Sequence, residues 1–204
     1  MAPKVKLTYF NLRGRAEPAR LLLAYGGVEY EDHRLKDGEW AGLKPQTPYG
    51  SVPVLEWDGC TVAQSVSIAR FIAKEVGLGG RTNLEAAQAD EIVDAINDLL
   101  EGVVNTHFKG SDEAAKKKFL SETLPNGFAK MEARLCSRGG QYFAGNALTW
   151  ADVLAFNFCS WLPDVAPGAQ SCLDKCPMMK NLLARVGEIP NIKAWLERRP
   201  VSKM

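Results

Sequence analysis

Tyr9 and Phe10, followed by Asn11-Leu12-Arg13-Gly14-Arg15, bring a phenol, two guanidinium groups and a glycine into one short stretch. A phenol with its ordinary pKa of about 10 keeps its proton near neutrality and donates it in hydrogen bonds. Guanidinium groups offer a fork of N–H donors to an anion. The stretch can serve an anion, or it can be a tyrosine packing its ring beside a solvated arginine pair. Little else in the chain has the spacing of a reactive site. Its two histidines, His33 and His107, lie outside any Gly-x-Ser-x-Gly signature. Gly26-Gly27 and Gly79-Gly80 lack the spacing and the lysine of a phosphate loop. Asp90, Asp94 and Asp98 recur at helical i, i+4 spacing and share a face, which reads as a solvated acidic stripe. Cys172 and Cys176 are four apart with no histidine nearby and no Cys-x2-Cys pair, so no metal is expected.

The phenol must be held by the elements around it. Lys4 to Phe10 alternates, with Val5, Leu7 and Tyr9 on one face, and predicts a strand with Tyr9 near its carboxyl end. Ligands of open α/β layers gather outside such ends. Ala16 to Tyr25 predicts a helix with Pro18 in its first turn, and Glu29 to Leu35 a second strand. Val52 to Trp57 and Thr61 to Ala63 predict a hairpin about Asp58-Gly59. Ser65 is expected to cap a helix running to about Val76. This order predicts a small α/β layer with a mixed sheet over residues 1–76.

Gly77-Leu-Gly-Gly80 opens a linker, placed at 77–82, and residues 83–204 predict an all-helical domain. Ile92, Ile96, Leu99 and Val103 mark one helical face; Leu120, Leu124, Phe128, Met131 and Leu135 mark the next, with a kink expected at Pro125. Three shorter helices are expected over Thr149 to Trp161, Met178 to Val186 and Asn191 to Glu197. Thr149-Trp-Ala-Asp152 reads as an aspartate variant of the capping box, with Leu148 and Val153 as a hydrophobic staple and no chemistry of its own.

Composition narrows the function. The 204 residues carry 25 Lys plus Arg and 24 Asp plus Glu, and 46% are apolar. Residues 1–76 hold 10 basic and 9 acidic groups and the rest 15 and 15, so neither part has the basic excess of a nucleic-acid binder. No apolar run approaches the ~18 residues of a membrane span. Met-Ala-Pro-Lys-Val-Lys lacks a signal-peptide core, and five scattered cysteines suit free thiols in a reducing compartment. The expectation is a cytoplasmic protein with no nucleic-acid or membrane partner. The first strand-to-helix turn holds no cysteine, which argues against a thioredoxin-type dithiol oxidoreductase.

Several segments together resemble the cytosolic glutathione transferases, and the sigma class in particular, which includes the haematopoietic-type prostaglandin D synthases. They are Tyr9-Phe-Asn-Leu-Arg-Gly-Arg-Ala-Glu17, Tyr30-Glu-Asp-His-Arg34, Trp40, Pro48-Tyr-Gly-Ser-Val-Pro-Val-Leu55, Gln64-Ser65 and Thr149-Trp-Ala-Asp152. The resemblance implies a thioredoxin-like N-terminal domain with a mixed four-stranded sheet, an all-helical C-terminal domain and a homodimer. It implies glutathione as co-substrate and a small hydrophobic electrophile as its acceptor.

Residue by residue, the resemblance makes Tyr9 the donor to the glutathione sulfur and Arg15 its electrostatic support. Trp40 and Lys44 would contact the glycyl end, and Gly50 and Ser51 would also contact glutathione. Val52 would pair its backbone with the cysteinyl unit, ahead of Pro53 in a cis bond. Gln64 and Ser65 would hold the γ-glutamyl part at a helix start, where free N–H groups favour a carboxylate. Asp98 would reach the ligand of a partner subunit. Phe10, Arg13, Gly14 and Asn105 would line the electrophile pocket, shaped further by the tail near Met204. Tyr49 is either an aromatic key into the partner or a rim contact.

Three positions depart from the prostaglandin D synthase pattern. Ser51 stands where that pattern has Lys, Asn105 where it has Trp, and Asn97 where it has the first of two paired Asp residues. The first need not harm glutathione binding. The other two weaken prostaglandin specificity and metal activation, and leave general conjugation in place. The competing expectations are a glutathione-dependent prostaglandin isomerase and a non-catalytic ligand-binding or structural relative.

Overall fold

The computed structural model describes residues 2–110 and 112–202, so Met204 lies outside the described residues. The chain divides into two compact units, one of residues 1–77 with 189–204 and one of residues 78–188.

The first unit is a mixed four-stranded sheet with helices. Strand β1 (Val5–Phe10) buries Val5, Leu7 and Tyr9, as their spacing implies, and Thr8 between them. Helix α1 (Glu17–Tyr25) returns the chain to β2 (Glu31–Leu35), which runs parallel to β1 with Tyr9 opposite Arg34. A short helix α2 (Glu39–Leu43) follows. Strands β3 (Val54–Trp57) and β4 (Cys60–Ala63) form an antiparallel hairpin, and the sheet order is β2-β1-β3-β4. Asp58 and Gly59 both take positive φ, 47° and 80°, as a two-residue hairpin turn with right-handed strand twist requires. Helix α3 (Ser65–Glu75) ends this stretch.

Three consecutive leucines, Leu21 to Leu23, are fully buried in α1. An ordinary surface helix buries one stripe. Here α1 packs against α3 on one side and against α10 (Pro190–Arg198) on another. The sequence reading gives α10 to the all-helical domain. The structure groups it with the first unit, because the α10 indole Trp195 Nε1 donates to the buried carboxylate of Glu17 at 2.8 Å.

The second unit is helical. Helix α4 (Asn83–Val103) is capped by Thr82, whose hydroxyl accepts from Glu85 N–H at 3.1 Å. Its Ile92, Ile96, Leu99 and Val103 are buried as their spacing implies. It runs into a wide π turn over Val104–Phe108. Helix α5 (Glu113–Lys118) leads through a second π turn, Phe119–Thr123, into α6 (Leu124–Ser137). Pro125 therefore sits in the first turn of α6. A proline cannot supply its N–H to the preceding turn and crowds the carbonyl four residues back, and the wider turn ahead of it accommodates both. Helices α7 (Trp150–Val165), α8 (Gln170–Leu173) and α9 (Pro177–Gly187) complete the unit. Among the described residues no helix is long and apolar enough to cross a membrane.

The capping box at α7 forms, and it does more than the sequence suggests. The fully buried Asp152 carboxylate accepts from Thr149 N–H at 2.7 Å and from the Thr149 hydroxyl at 3.1 Å. Its other oxygen accepts from Phe143 N–H at 2.9 Å, so one side chain ties the 143–149 loop to the helix start.

Candidate active site

Sheet register gathers the candidate residues of the first unit. The β1–β3 ladder ends with Thr8 facing Val54, which puts the carboxyl end of β1 beside the entry to β3. In the β3–β4 ladder Val54 also faces Ala63, the last residue of β4, and Gln64 follows it. The carboxyl end of β1, the entry to β3 and the exit of β4 thus meet at one end of the sheet. The Val52–Pro53 bond is cis. Gln64 has φ 72° and ψ 118°, outside the comfortable range of a side-chain-bearing residue, and such positions cost about 1–3 kcal/mol and concentrate at functional sites. Gln64 is the residue before α3 and Ser65 its first helical residue. The sequence reading makes Ser65 the cap; the reversal of Gln64's backbone starts the helix one residue earlier.

At this sheet end the Tyr9 hydroxyl accepts a hydrogen bond from the backbone N–H of Arg15 at 3.2 Å. The contact comes from the main chain of Arg15, whereas the sequence reading assigns the support to its side chain, which is exposed. A phenol oxygen that accepts from an N–H keeps its own proton for another acceptor. Gly14, at φ +40°, makes the contact possible. A Cβ at that position would stand 2.7 Å from the Tyr9 hydroxyl and 2.5 Å from Leu12 Cδ1. We expect Gly14→Ala to lower kcat/KM at least tenfold and stability by about 1–2 kcal/mol, since a left-handed backbone and a displaced phenol are both imposed. Steady-state kinetics and urea unfolding check this, and unchanged activity would remove the Gly14–Tyr9 contact from the account.

Aromatic rings extend from Tyr9 across the loops. Tyr9 meets Phe10 edge-on at 5.5 Å between centroids, and Phe10 meets Trp40 the same way at 5.5 Å. Trp40 lies on α2 and Lys44 in the turn after it. A Cβ on Gly50 would lie 3.7 Å from Lys44 Cε, so these two sequence candidates are neighbours. Ser51 is exposed, and Tyr49 is 70% exposed. Arg13 is half-buried in the β1–α1 loop.

Asp98 and Asn105 belong to the helical unit. Asp98 is exposed on α4 and lines a groove of about 440 Å³ between α4 and α6, with Lys130 and Arg134 among its other walls. Asn105 is exposed on the first π turn. Among the described residues no group of three or more His, Cys, Asp or Glu is placed to hold a metal ion.

Sequence reasoning misses one feature beside Tyr9. Glu17 and Arg20, both fully buried on α1, form an ion pair at 3.3 Å, and Arg20 also donates to the loop carbonyls of Leu12 and Arg13. Charged residues are ordinarily read as solvated. The signal that could have found them is their i, i+3 spacing next to three consecutive leucines.

A thioredoxin-like sheet whose first strand ends in a phenol, with no cysteine in the turn that follows, is joined in one chain to a helical unit, the architecture of a two-domain protein. The chain belongs to the glutathione S-transferase family: residues 5–74 match its N-terminal domain and residues 97–199 its C-terminal domain. It is 41% identical to the hematopoietic prostaglandin D synthase of Gallus gallus, over 97% of this chain and 98% of that protein. It is 38% identical to glutathione S-transferase 1 of Ascaris suum, again over 97% and 98%. Among solved structures it is similar to monomeric Na-GST-3, a glutathione S-transferase of Necator americanus, with a TM-score of 0.88 and 35% identity over 98% of this chain and all of that one.

Proposed function

We propose that this glutathione transferase is of the sigma type, and that Tyr9 activates the glutathione thiol for attack on small hydrophobic electrophiles. A free thiol has a pKa of about 8.5, so only a few per cent is nucleophilic at pH 7. A hydrogen bond donated to the sulfur favours the thiolate over the thiol. The observation that carries this reading is the Tyr9 hydroxyl, which takes a hydrogen bond from Arg15 N–H and retains its own proton to donate. Arg15 adds positive potential. Val52 and Pro53 present backbone to the cysteinyl unit, Gln64 and Ser65 hold the γ-glutamyl carboxylate at the start of α3, Trp40 and Lys44 receive the glycyl end, and Gly50 and Ser51 also contact the tripeptide. The meeting of the three strand ends supports that division. Phe10, Arg13, Gly14 and Asn105 face the electrophile, and Asp98 serves a partner subunit's ligand in a homodimer. A relative described as monomeric makes that assembly a property to be measured. Five free cysteines suit a reducing, cytoplasmic compartment.

Conjugation of glutathione to an aryl halide, inhibited competitively by an S-alkyl glutathione, is the expected activity. Tight glutathione binding without turnover would identify the non-catalytic relative instead. A second reading, isomerisation of a prostaglandin endoperoxide to the D form, is favoured by the 41% identity to the chicken synthase. Ser51, Asn97 and Asn105 weigh against it. Supplying the endoperoxide with glutathione and finding a single D-type product would establish it.

A further inference from the structure

Arg20 carries a guanidinium group with no exposed surface, at the back of the loop that joins Tyr9 to Arg15. Nη1 donates to the carbonyls of Leu12 at 2.9 Å and Arg13 at 3.4 Å, and to Glu17 Oε2 at 3.3 Å. Nε donates to Asp32 Oδ1 at 3.0 Å. The remaining nitrogen, Nη2, is buried without a hydrogen-bond partner, while Cζ lies 6.0 Å from the centroid of the Tyr9 ring.

A buried guanidinium is costly to desolvate and is retained where its planar fork serves a geometry that an aliphatic side chain cannot. Here the fork spans α1, β2 and the loop, and its charge stands near the tyrosine ring, where a cation interacts with the π system. We propose that Arg20 is a positioning residue for thiol activation: it clamps the Leu12–Arg13 backbone so that Arg15 N–H meets the Tyr9 hydroxyl, and its charge behind the ring strengthens the phenol as a donor. This rests on the role proposed for Tyr9. The charged and titratable groups around Arg20 are Glu17 on α1, Asp32 and Arg34 on β2, Tyr30 before it, and Arg199 after α10, whose Nη1 donates to Glu17 Oε1 at 3.0 Å. Trp195 Nε1 donates to the same Glu17 oxygen, so α10 braces the far side of the clamp.

The test is Arg20→Lys, which keeps the charge and loses the fork. Ultraviolet absorbance of the glutathione thiolate is titrated in the complex, and aryl-halide kinetics are measured across pH. We expect the bound thiol's pKa to rise by about one unit, with a loss of about tenfold in kcat/KM at mildly acidic pH that vanishes at alkaline pH. The KM for glutathione should stay within about twofold, since the clamp acts through Tyr9 and the Leu12–Arg13 backbone and bonds to none of Trp40, Lys44, Val52, Gln64 and Ser65. A purely structural role would lower the melting temperature and leave the thiol titration of the folded complex unchanged, and that result overturns the inference. Tyr9→Phe is titrated in parallel. No change there removes the reading of Tyr9; a change there with none in Arg20→Lys overturns the role of Arg20 alone. Should Arg20→Lys not fold, Asp32→Asn decides. It leaves Arg20 and an acceptor for Nε in place but removes an opposing negative charge. The thiol pKa should then fall by about half a unit, and an unchanged or raised value overturns the proposal.

Discussion

Tyr9→Phe is expected to lower kcat/KM for aryl-halide conjugation about fiftyfold near pH 6.5, approaching a hundredfold at lower pH, with most of the loss recovered above pH 9. The substitution keeps the ring, its edge contact with Phe10 and its buried place on β1, and removes only the hydroxyl. Folding should therefore change little. The pH dependence follows from the proposed role. Without a donor, the bound thiol reverts toward its free pKa, and a shift of about two units is about 2.7 kcal/mol, or a hundredfold in thiolate at any pH below both values. Above pH 9 both proteins hold thiolate and the difference closes. A loss of equal size at every pH would mean that the hydroxyl orients the electrophile or the transition state instead.

Asp152→Ala should give the largest loss of stability among the substitutions considered, about 2–4 kcal/mol at neutral pH. The buried N–H groups of Phe143 and Thr149 would both lose their acceptor, and an unsatisfied buried donor costs about 1–3 kcal/mol. For a chain of this size the melting temperature should drop by about 5–15 °C. Burial also pushes the Asp152 carboxyl up from 3.8 to about 6, against the pull of its three donors. Its folded pKa thus exceeds its unfolded one, so the folded state holds the extra proton between those values. The contribution is complete below about pH 4 and is lost as pH rises through about 6. Relative to Asp152→Asn, which does not titrate, the wild type should lose about 2–3 kcal/mol of stability between pH 4 and pH 7. Urea unfolding of both proteins at a series of pH values measures this. A flat difference would mean that the carboxyl is not desolvated.

The sheet is legible in the sequence because its signals are local. Val5, Leu7 and Tyr9 alternate, and Asp58-Gly59 supplies the positive φ angles of a hairpin. Helix α4 is legible from its apolar period and α7 from its capping residues. Helix α2 is not, since Glu39 to Leu43 has too few residues to show a period. The place of α10 depends on an indole reaching a glutamate 178 positions away, which no local pattern encodes. Pro125 announces a disturbance, but whether a helix kinks, ends or widens there is decided by packing. The candidate site divides in the same way. Residue types around Tyr9 suggest an anion, and the likeness to a family supplies the roles. The backbone origin of the Arg15 contact, the fit of Gly14 beneath the phenol and the Arg20 clamp are matters of distance, readable only in three dimensions.

On the role proposed for Tyr9, one phenolic proton lowers the pKa of a bound thiol. The most direct measurement of this is the ultraviolet titration of glutathione thiolate in the wild-type complex, with Tyr9→Phe as reference. A midpoint near pH 6.5, about two units below that of free thiol and lost in Tyr9→Phe, is the expected result. A wild-type midpoint at the free-thiol value, identical in the two proteins, would contradict it.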